Sequence, residues 1–207
     1  MSYGLEGVTF AYGDTPVLEQ VTWTLPQRGV VCLWGESGGG KTTILRLLAG
    51  LERPAAGTVR RPERVSLLFQ ENRLLPWYTA LENVMLPPDI DRPRAEAMLA
   101  AVGLSEERDC LPDSLSGGQR RRIALARALA LPGDLLLLDE PFTGLDEEAW
   151  RSIVPLVLQQ AQEIPVVLVT HVAVQAEAMG AAIQPLEQLL LRHMPEKAEK
   201  TQKSEKA

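Results

Sequence analysis

A glycine-rich run between an apolar segment and a helical segment constrains this chain more than any other feature. Residues 30–34 form a continuous apolar run suited to a strand buried on both faces, and residues 42–49 follow the pattern of a helix. Backbone N–H groups of a glycine loop in this position surround phosphates. The run fits the spacing GxxxxGK[ST] and consists of Gly35, Glu36, Ser37, Gly38, Gly39, Gly40, Lys41 and Thr42.

Two side chains give this loop a specific chemistry. In this pattern Lys41 reaches the β- and γ-phosphates of a nucleotide, and the hydroxyl of Thr42 coordinates Mg²⁺. We expect Thr43 to contact the nucleotide as well. Glycine-rich turns are common, but one that follows a buried strand and opens a helix favours the functional interpretation. The loop therefore predicts a site for ATP and Mg²⁺.

Composition and charge narrow the class of protein. The chain has 207 residues, enough for one substantial core, and its formal net charge of −6 argues against a nucleic-acid partner. Cys32 and Cys110 lack the spacing of metal ligands. No apolar run reaches the roughly 20 residues that span a bilayer, and no export signal is visible. We expect one cytoplasmic domain that acts at a membrane only through a partner.

The order of the predicted elements indicates an α/β fold. Residues 8–25 alternate between apolar and small or polar residues, which is typical of an antiparallel sheet. Apolar runs at 65–69, 135–138 and 166–169 have the length of buried strands and alternate with helical patterns, such as those at 94–102 and 147–162. This alternation predicts a mainly parallel sheet covered by helices on both faces.

A proline-containing segment separates two parts of the predicted sheet. Prolines surround one clear helix between residues 71 and 122, so we expect a small helical subdomain inserted between sheet segments at 1–70 and 123–190. Clear closing strands are not visible after Met179. Residues 191–207 are rich in Lys, Glu and small polar residues and predict a disordered tail.

Two adjacent carboxylates follow the strand predicted at 135–138. They are Asp139 and Glu140, and they lie at the carboxyl end of the strand, where ligands gather in open α/β sheets. We expect Asp139 to hold Mg²⁺ through water and Glu140 to polarise the water that attacks the γ-phosphate. Together with the loop, these residues resemble a P-loop NTPase of RecA-like fold, with small-molecule kinases and GTPases still open.

A pentapeptide before the next predicted helix narrows the family. Leu115, Ser116, Gly117, Gly118 and Gln119 match the signature sequence of ATP-binding cassette (ABC) ATPases without a mismatch. An ordinary serine N-cap explains Ser116 but not the whole run. A helix N-terminus of this kind can meet an anion. The chain resembles an ABC-type ATP-binding subunit from about residue 5 to about residue 182.

The resemblance assigns roles to further residues. Tyr12 matches the aromatic that stacks on adenine, and Gln70 matches the glutamine that touches Mg²⁺ and the permease. His171 matches the switch histidine for the γ-phosphate, although Val172 stands where the family usually has an acidic residue. Residues 144–146 match the loop that joins two protomers. Each residue alone could be an ordinary structural one, but their order around the stronger motifs favours the functional roles.

The resemblance also implies a mechanism and partners. Two copies close face to face, so that the glycine loop of one and the signature of the other hold the same ATP, and hydrolysis drives transmembrane permease subunits. The run at 73–77 and the residues at 81–84 resemble those of the nitrate, sulfonate and taurine importer group. The expected protein is therefore an ATPase on the inner face of the cell membrane, a homodimer with a permease and, for import, a solute-binding protein.

Two other kinds of protein compete with this interpretation. A non-transport ABC ATPase for DNA repair would need a long coiled-coil insertion, and no sustained heptads occur. A P-loop small-molecule kinase would have no use for the signature at residues 115–119. A regulatory module without hydrolysis would be expected to have lost Lys41 or Glu140, and both are present.

Two surface features complete the expectations. The triplet at residues 120–122 is three arginines, which we interpret as a solvated helix start that partly faces the permease. Large apolar side chains follow Gln70 in a loop, and we expect at least one of Trp77 and Tyr78 to line a groove for the permease. Others, such as Leu81 and Val84, are expected to form the core of the helical lobe.

Overall fold

The computed structural model describes residues 2–191, so the tail expected at 191–207 lies, apart from Leu191, outside the described residues. The strands are β1 (Gly4–Tyr12), β2 (Thr15–Thr24), β3 (Gly29–Trp34), β4 (Ala56–Arg60), β5 (Val65–Leu68), β6 (Leu135–Asp139), β7 (Pro165–Val169) and β8 (Ala182–Pro185). The α-helices are α1 (Lys41–Leu48), α2 (Ala80–Val84), α3 (Arg92–Ala101), α4 (Gly117–Ala130), α5 (Glu147–Ala161), α6 (Ala173–Ala178) and α7 (Leu186–Leu191). None of these helices is both long and apolar enough to cross a membrane.

The N-terminal strands form a three-stranded antiparallel sheet in the order β2-β1-β4. Side chains alternate between the two faces in the middle of β1, where Val8 and Phe10 are buried while Thr9 between them is half-buried and Ala11 is exposed. The alternating pattern at residues 8–25 therefore predicted the correct kind of sheet.

The second sheet has five strands in the order β5-β6-β7-β3-β8, and all of its neighbouring strands run parallel. Every residue of β6 and β7 is buried, as continuous apolar runs require in a sheet covered on both faces. Because the strands are parallel, their carboxyl ends meet at one edge. The predicted fold class, a mainly parallel sheet with an antiparallel N-terminal sheet, is confirmed.

Two apolar layers cover the parallel sheet, and alternate residues of each central strand point into different layers. Leu136, Leu138 and Leu168 belong to the layer shared with α4 and α5. Leu137 and Val167 belong to the layer shared with α1 and the antiparallel sheet. The period of two along a strand thus divides one apolar run between two cores.

The helices of the inserted segment pack on α4. Both α2 and α3 contact α4, which also contacts β5 and runs without a break across the boundary expected between residues 122 and 123. Helix α3 begins two residues earlier than the pattern at 94–102 suggested. Asp91 caps it by accepting a hydrogen bond from the Arg94 amide at 3.0 Å, and Pro93 fits the first turn.

The C-terminal part of the described chain does contain a closing strand, so its expected absence was wrong. Strand β8 pairs in parallel with β3 and forms an edge of the sheet. Only four residues long and partly exposed, it lacks the apolar run that revealed the other strands. Leu186 follows it, is 3% exposed and lies beneath the glycine loop. A methyl group added at Gly39 would lie 2.7 Å from Leu186 Cδ2.

We predict that Leu186→Ala lowers the free energy of unfolding by about 2–5 kcal/mol, because it leaves a cavity under the loop. The matched control is Ile183→Ala in the adjoining strand, where the side chain is 53% exposed and the expected change is within about 0.5 kcal/mol. Chemical denaturation of both variants measures the difference. Equal losses would contradict the packing role of Leu186.

Candidate nucleotide-binding site

The glycine loop leaves the N-terminus of α1 open to a ligand. Gly38 and Gly40 have φ values of 80° and 102°, a region that disfavours residues with a side chain. Gly40 stands at the N-cap position, where no side chain caps the helix. The first amides of α1 are therefore available to an anion, as the motif predicts.

Lys41 lies across the loop that precedes it. Its Nζ donates to the carbonyl oxygens of Gly35 and Glu36 at 2.7 and 2.6 Å, and the side chain is largely buried. The ammonium group is thus held within the curve of the loop. A lysine in that position can exchange carbonyl oxygens for phosphate oxygens with little movement of its stem.

The loop and the end of β6 meet through one side-chain hydrogen bond. The hydroxyl of Thr42 donates to Asp139 Oδ2 at 2.8 Å. Burial raises the pKa of the Asp139 carboxyl, and the hydrogen bond from Thr42 lowers it in part. Two hard oxygen ligands from residues 97 positions apart are thereby brought together at the carboxyl edge of the sheet.

Glu140 adopts an unusual backbone conformation and contacts a histidine. Its φ is 48°, in the left-handed region, and its amide donates to the Val169 carbonyl oxygen at 2.9 Å. The Oε1 atom lies 2.9 Å from His171 Nδ1. An ionised carboxylate can only accept, so the ring nitrogen donates in this pair. The structure therefore brings together Glu140 and His171, which in the sequence are related only through the family resemblance.

Two other expected site residues lie at strand ends with exposed side chains. Tyr12 ends β1, packs edge-on against Phe10 with ring centroids 4.8 Å apart, and accepts a hydrogen bond from Arg46 at 3.4 Å. Its ring is exposed enough to meet a base. Gln70 follows β5 closely, and its side chain is exposed while its backbone carbonyl is bound by Arg121.

The signature residues form the start of α4. Ser116 caps the helix by accepting from the Gln119 amide at 3.2 Å, and the Gln119 side chain accepts from the Ser116 amide at 2.9 Å. Gln119 also donates to Glu107 at 3.0 Å. A methyl group added at Gly117 would meet no atom within 4 Å, whereas Gly118 faces the Gly144 carbonyl oxygen. The start of α4 is therefore capped by its own side chains, while Ser116 and Gly117 remain exposed.

Arg121 is buried, so the expectation that residues 120–122 are a solvated triplet was wrong. The residue is only 2% exposed, and its guanidinium donates to backbone oxygens at two strand ends. Burial lowers its pKa to about 10, and nearby Asp139 and Glu140 raise it in part. The accepting carbonyl oxygens belong to Phe69, Gln70, Asp139, Glu140 and Pro141, at 2.7–3.0 Å.

The helical spacing of apolar residues after Arg121 predicts that its side chain faces the core. Residues three, four and seven positions after Arg121 are Ala124, Leu125 and Ala128, and all of them are buried. The neighbouring Arg120 and Arg122 are half-buried and donate to carbonyl oxygens of the helical lobe. The whole triplet therefore binds the protein's own backbone.

A second arginine of α4 binds the segment after β5. Arg127 donates to the carbonyl oxygens of Asn72 and Arg73 at 2.8 and 3.0 Å, and burial lowers its pKa. The Arg73 guanidinium lies 3.7 Å from the centroid of the Phe69 ring. Together with Arg121, Arg127 binds most of the backbone around Gln70 to one helix.

Comparison with known sequences identifies the family of this chain. The family model described as ABC transporter matches residues 18–143. The aliphatic sulfonates import ATP-binding protein SsuB 3 of Paraburkholderia xenovorans (strain LB400) is 47% identical over 175 residues, covering 83% of this chain and 71% of that protein. The protein SsuB 1 of Shouchella clausii (strain KSM-K16) is 41% identical over 192 residues, covering 90% of this chain and 78% of that protein.

Two solved structures have a similar fold. A dimeric structure of MJ0796, a bacterial ABC transporter cassette, has a TM-score of 0.77 at 28% identity and covers 88% of this chain and 94% of that one. A dimeric post-hydrolysis state of the same cassette, bound to ADP and Pi, has a TM-score of 0.76 at 28% identity and covers 86% of this chain and 91% of that one.

The chain belongs to the ABC transporter family, as an ATP-binding subunit that hydrolyses ATP. The resemblance to the sulfonate, nitrate and taurine importer group is confirmed by relatives at 40–47% identity. The alternative of a small-molecule kinase is set aside by these relatives and by the match of the family model.

Proposed function

We propose that this chain energises the import of a sulfonate or a similar small anion. Two copies close around ATP beneath a membrane permease, hydrolyse the nucleotide and reopen. The observation that carries the hydrolytic part is the pairing of Thr42 with Asp139 beside the pairing of Glu140 with His171. Import and cargo rest on relatives whose names describe the import of aliphatic sulfonates. The chain then works at the cytoplasmic face of the membrane, with a solute-binding protein supplying the cargo.

The oxygen ligands at the loop fit Mg²⁺. This ion is bound in nucleotide sites by one or two protein oxygens together with phosphates and waters. The Thr42 hydroxyl and the Asp139 carboxylate are such a pair, 2.8 Å apart at the start of α1. Gln70 supplies a third oxygen from its exposed side chain. When bound, Mg²⁺ neutralises charge on the β- and γ-phosphates.

The remaining residues divide the work of hydrolysis. The loop amides and the Lys41 ammonium hold the phosphates. Glu140 accepts a hydrogen bond from the attacking water and orients it in line with the bond to be broken. His171, which donates to Glu140 in this structure, turns this N–H to the γ-phosphate as charge develops there. Because little covalent chemistry is needed from the protein, these positions account for catalysis.

The open start of α4 is suited to a second copy of the chain. Ser116 and Gly117 are exposed, and the hydrogen bonds of Ser116 and Gln119 stay within the lobe. An exposed helix N-terminus attracts a phosphate. The related cassette MJ0796 was solved as a dimer. In the proposed dimer this helix start contacts the γ-phosphate held by the partner's glycine loop.

The loop after Gln70 is suited to a permease. Trp77 is 68% exposed and Tyr78 is 37% exposed, whereas Leu81 and Val84 form the core of the lobe. Buried Asn83 fixes this loop, since its side chain bonds to backbone atoms of Leu75, Tyr78 and Thr79. The exposed aromatic rings are therefore presented by a rigid loop, which favours a protein partner.

Replacement of Glu140 tests the hydrolytic assignment. Glu140→Gln keeps the loop and Thr42 intact but removes the carboxylate that orients water, so turnover falls by about 10²–10⁴-fold while ATP binding persists. Glu148→Gln, an exposed position in the first turn of α5, is the control with unchanged turnover. Phosphate release from purified protein measures both. Turnover of the Glu140 variant near that of wild type would refute the assignment.

Replacement of Ser116 tests the proposed dimer. Ser116→Arg leaves the monomer able to bind ATP but places a bulky cation where the partner's nucleotide must approach. In a Glu140→Gln background, light scattering with ATP should detect monomers for Ser116→Arg. The control Ser114→Arg, also exposed and two residues earlier, should still dimerise. Dimers of the Ser116 variant would show that the sandwich is wrong for this chain.

Replacement of Trp77 and Tyr78 tests the proposed coupling to the permease. Replacing Trp77 and Tyr78 with Ala should lower both uptake of a labelled alkanesulfonate and permease-stimulated hydrolysis, with little change in ATP binding or melting temperature. Leu51→Ala, another exposed apolar position, is the control with normal uptake. A large loss of stability with intact coupling would instead assign the two rings to the core of the lobe.

A further inference from the structure

We propose that Arg121 is a positioning residue for hydrolysis: its guanidinium holds the backbone of Glu140 in the conformation that directs the carboxylate to the catalytic site. The inference rests on the proposed function, in which Glu140 orients water. It assigns a role to a buried residue of α4 that acts through the main chain.

The backbone of Glu140 needs this support. A φ of 48° is disfavoured for a residue with a side chain and persists only where the surroundings hold it. Its amide is fixed from one side by the Val169 carbonyl oxygen at 2.9 Å. Its own carbonyl oxygen is fixed from the other side by Arg121 Nη2 at 2.7 Å. Removal of either bond frees the peptide to relax toward an ordinary conformation, which turns the side chain away from His171.

The planar shape of the guanidinium suits this task. Nη2 also donates to the carbonyl oxygen of Asp139 at 2.8 Å and Nε donates to that of Pro141 at 2.9 Å, so three consecutive carbonyl oxygens are bound along one edge of the guanidinium. Nη1 meanwhile donates to the carbonyl oxygens of Phe69 and Gln70. A lysine has the charge but cannot spread rigid donors over both strand ends.

The geometry separates this role from binding of the nucleotide. The hydrogen bonds of Arg121 go to the ends of β5 and β6, and none of those described reaches the glycine loop. Lys41 is held by Gly35 and Glu36 instead. A defect at Arg121 should therefore appear in kcat and not in ATP affinity.

The experiment compares Arg121→Lys and Arg121→Gln with the control Arg122→Gln, which removes an arginine that binds carbonyl oxygens of Val102 and Gly103, away from Glu140. We expect both Arg121 variants to lose about 10–100-fold in kcat, because misplacement by about 1 Å can cost about a hundredfold. KM for ATP and the affinity for a fluorescent ATP analogue should change little, and the control should keep wild-type kcat.

A double-mutant cycle then asks whether the effect passes through Glu140. In a Glu140→Gln background, Arg121→Lys should cause no further loss of the residual hydrolysis measured with radiolabelled ATP, since the group that it positions is already gone. Independent losses that multiply would overturn the proposal. Full kcat in Arg121→Lys, or loss of ATP binding in both Arg121 variants, would overturn it as well. If wild type fails to hydrolyse ATP or Glu140→Gln retains turnover, the proposed function itself fails.

Discussion

Backbone carbonyl oxygens at the carboxyl edge of the parallel sheet need hydrogen-bond partners, and the site depends on how they obtain them. A buried carbonyl left without a partner costs about 1–3 kcal/mol, and five of these oxygens are bound by the one guanidinium of Arg121. Without it, the ends of β5 and β6 would have to open to water. One of these bonds also holds the Glu140 carbonyl oxygen, so the stability of the strand ends and the placement of the Glu140 carboxylate have one cause.

The longer helices differ in how their N-termini are capped. Among the described helices of eight residues or more, α3, α4 and α5 have side-chain caps from Asp91, Ser116 and Asp146. Helix α1 has Gly40 at its N-cap position and therefore no side-chain cap. The amides at its start lie beside Lys41 and Thr42, where a phosphate can accept their hydrogen bonds.

The sequence revealed the parts of the site that follow from local pattern. Buried runs around residues 30–34 and 135–138 located strands whose ends carry the loop and the two carboxylates, since direction in a parallel sheet decides which ends meet. The pairing of His171 with Glu140 depends on strand order, which local pattern does not contain. The burial of Arg121 was not predicted because an arginine is seldom buried without partners, and its partners are backbone oxygens that local sequence does not locate, although its neighbours at helical spacing are all apolar. Strand β8 was missed because backbone pairing with β3, and not burial of side chains, defines it.

The position of Leu186 beneath the glycine loop has a consequence for synthesis of the chain. The glycine loop is synthesised before Leu186, which packs beneath it, and before β7 and β8, with which the preceding strand β3 pairs. Contacts this distant in sequence cannot form until both partners have emerged. The nascent chain therefore carries the phosphate-binding motif without the packing that shapes it until residue 186 has left the ribosome.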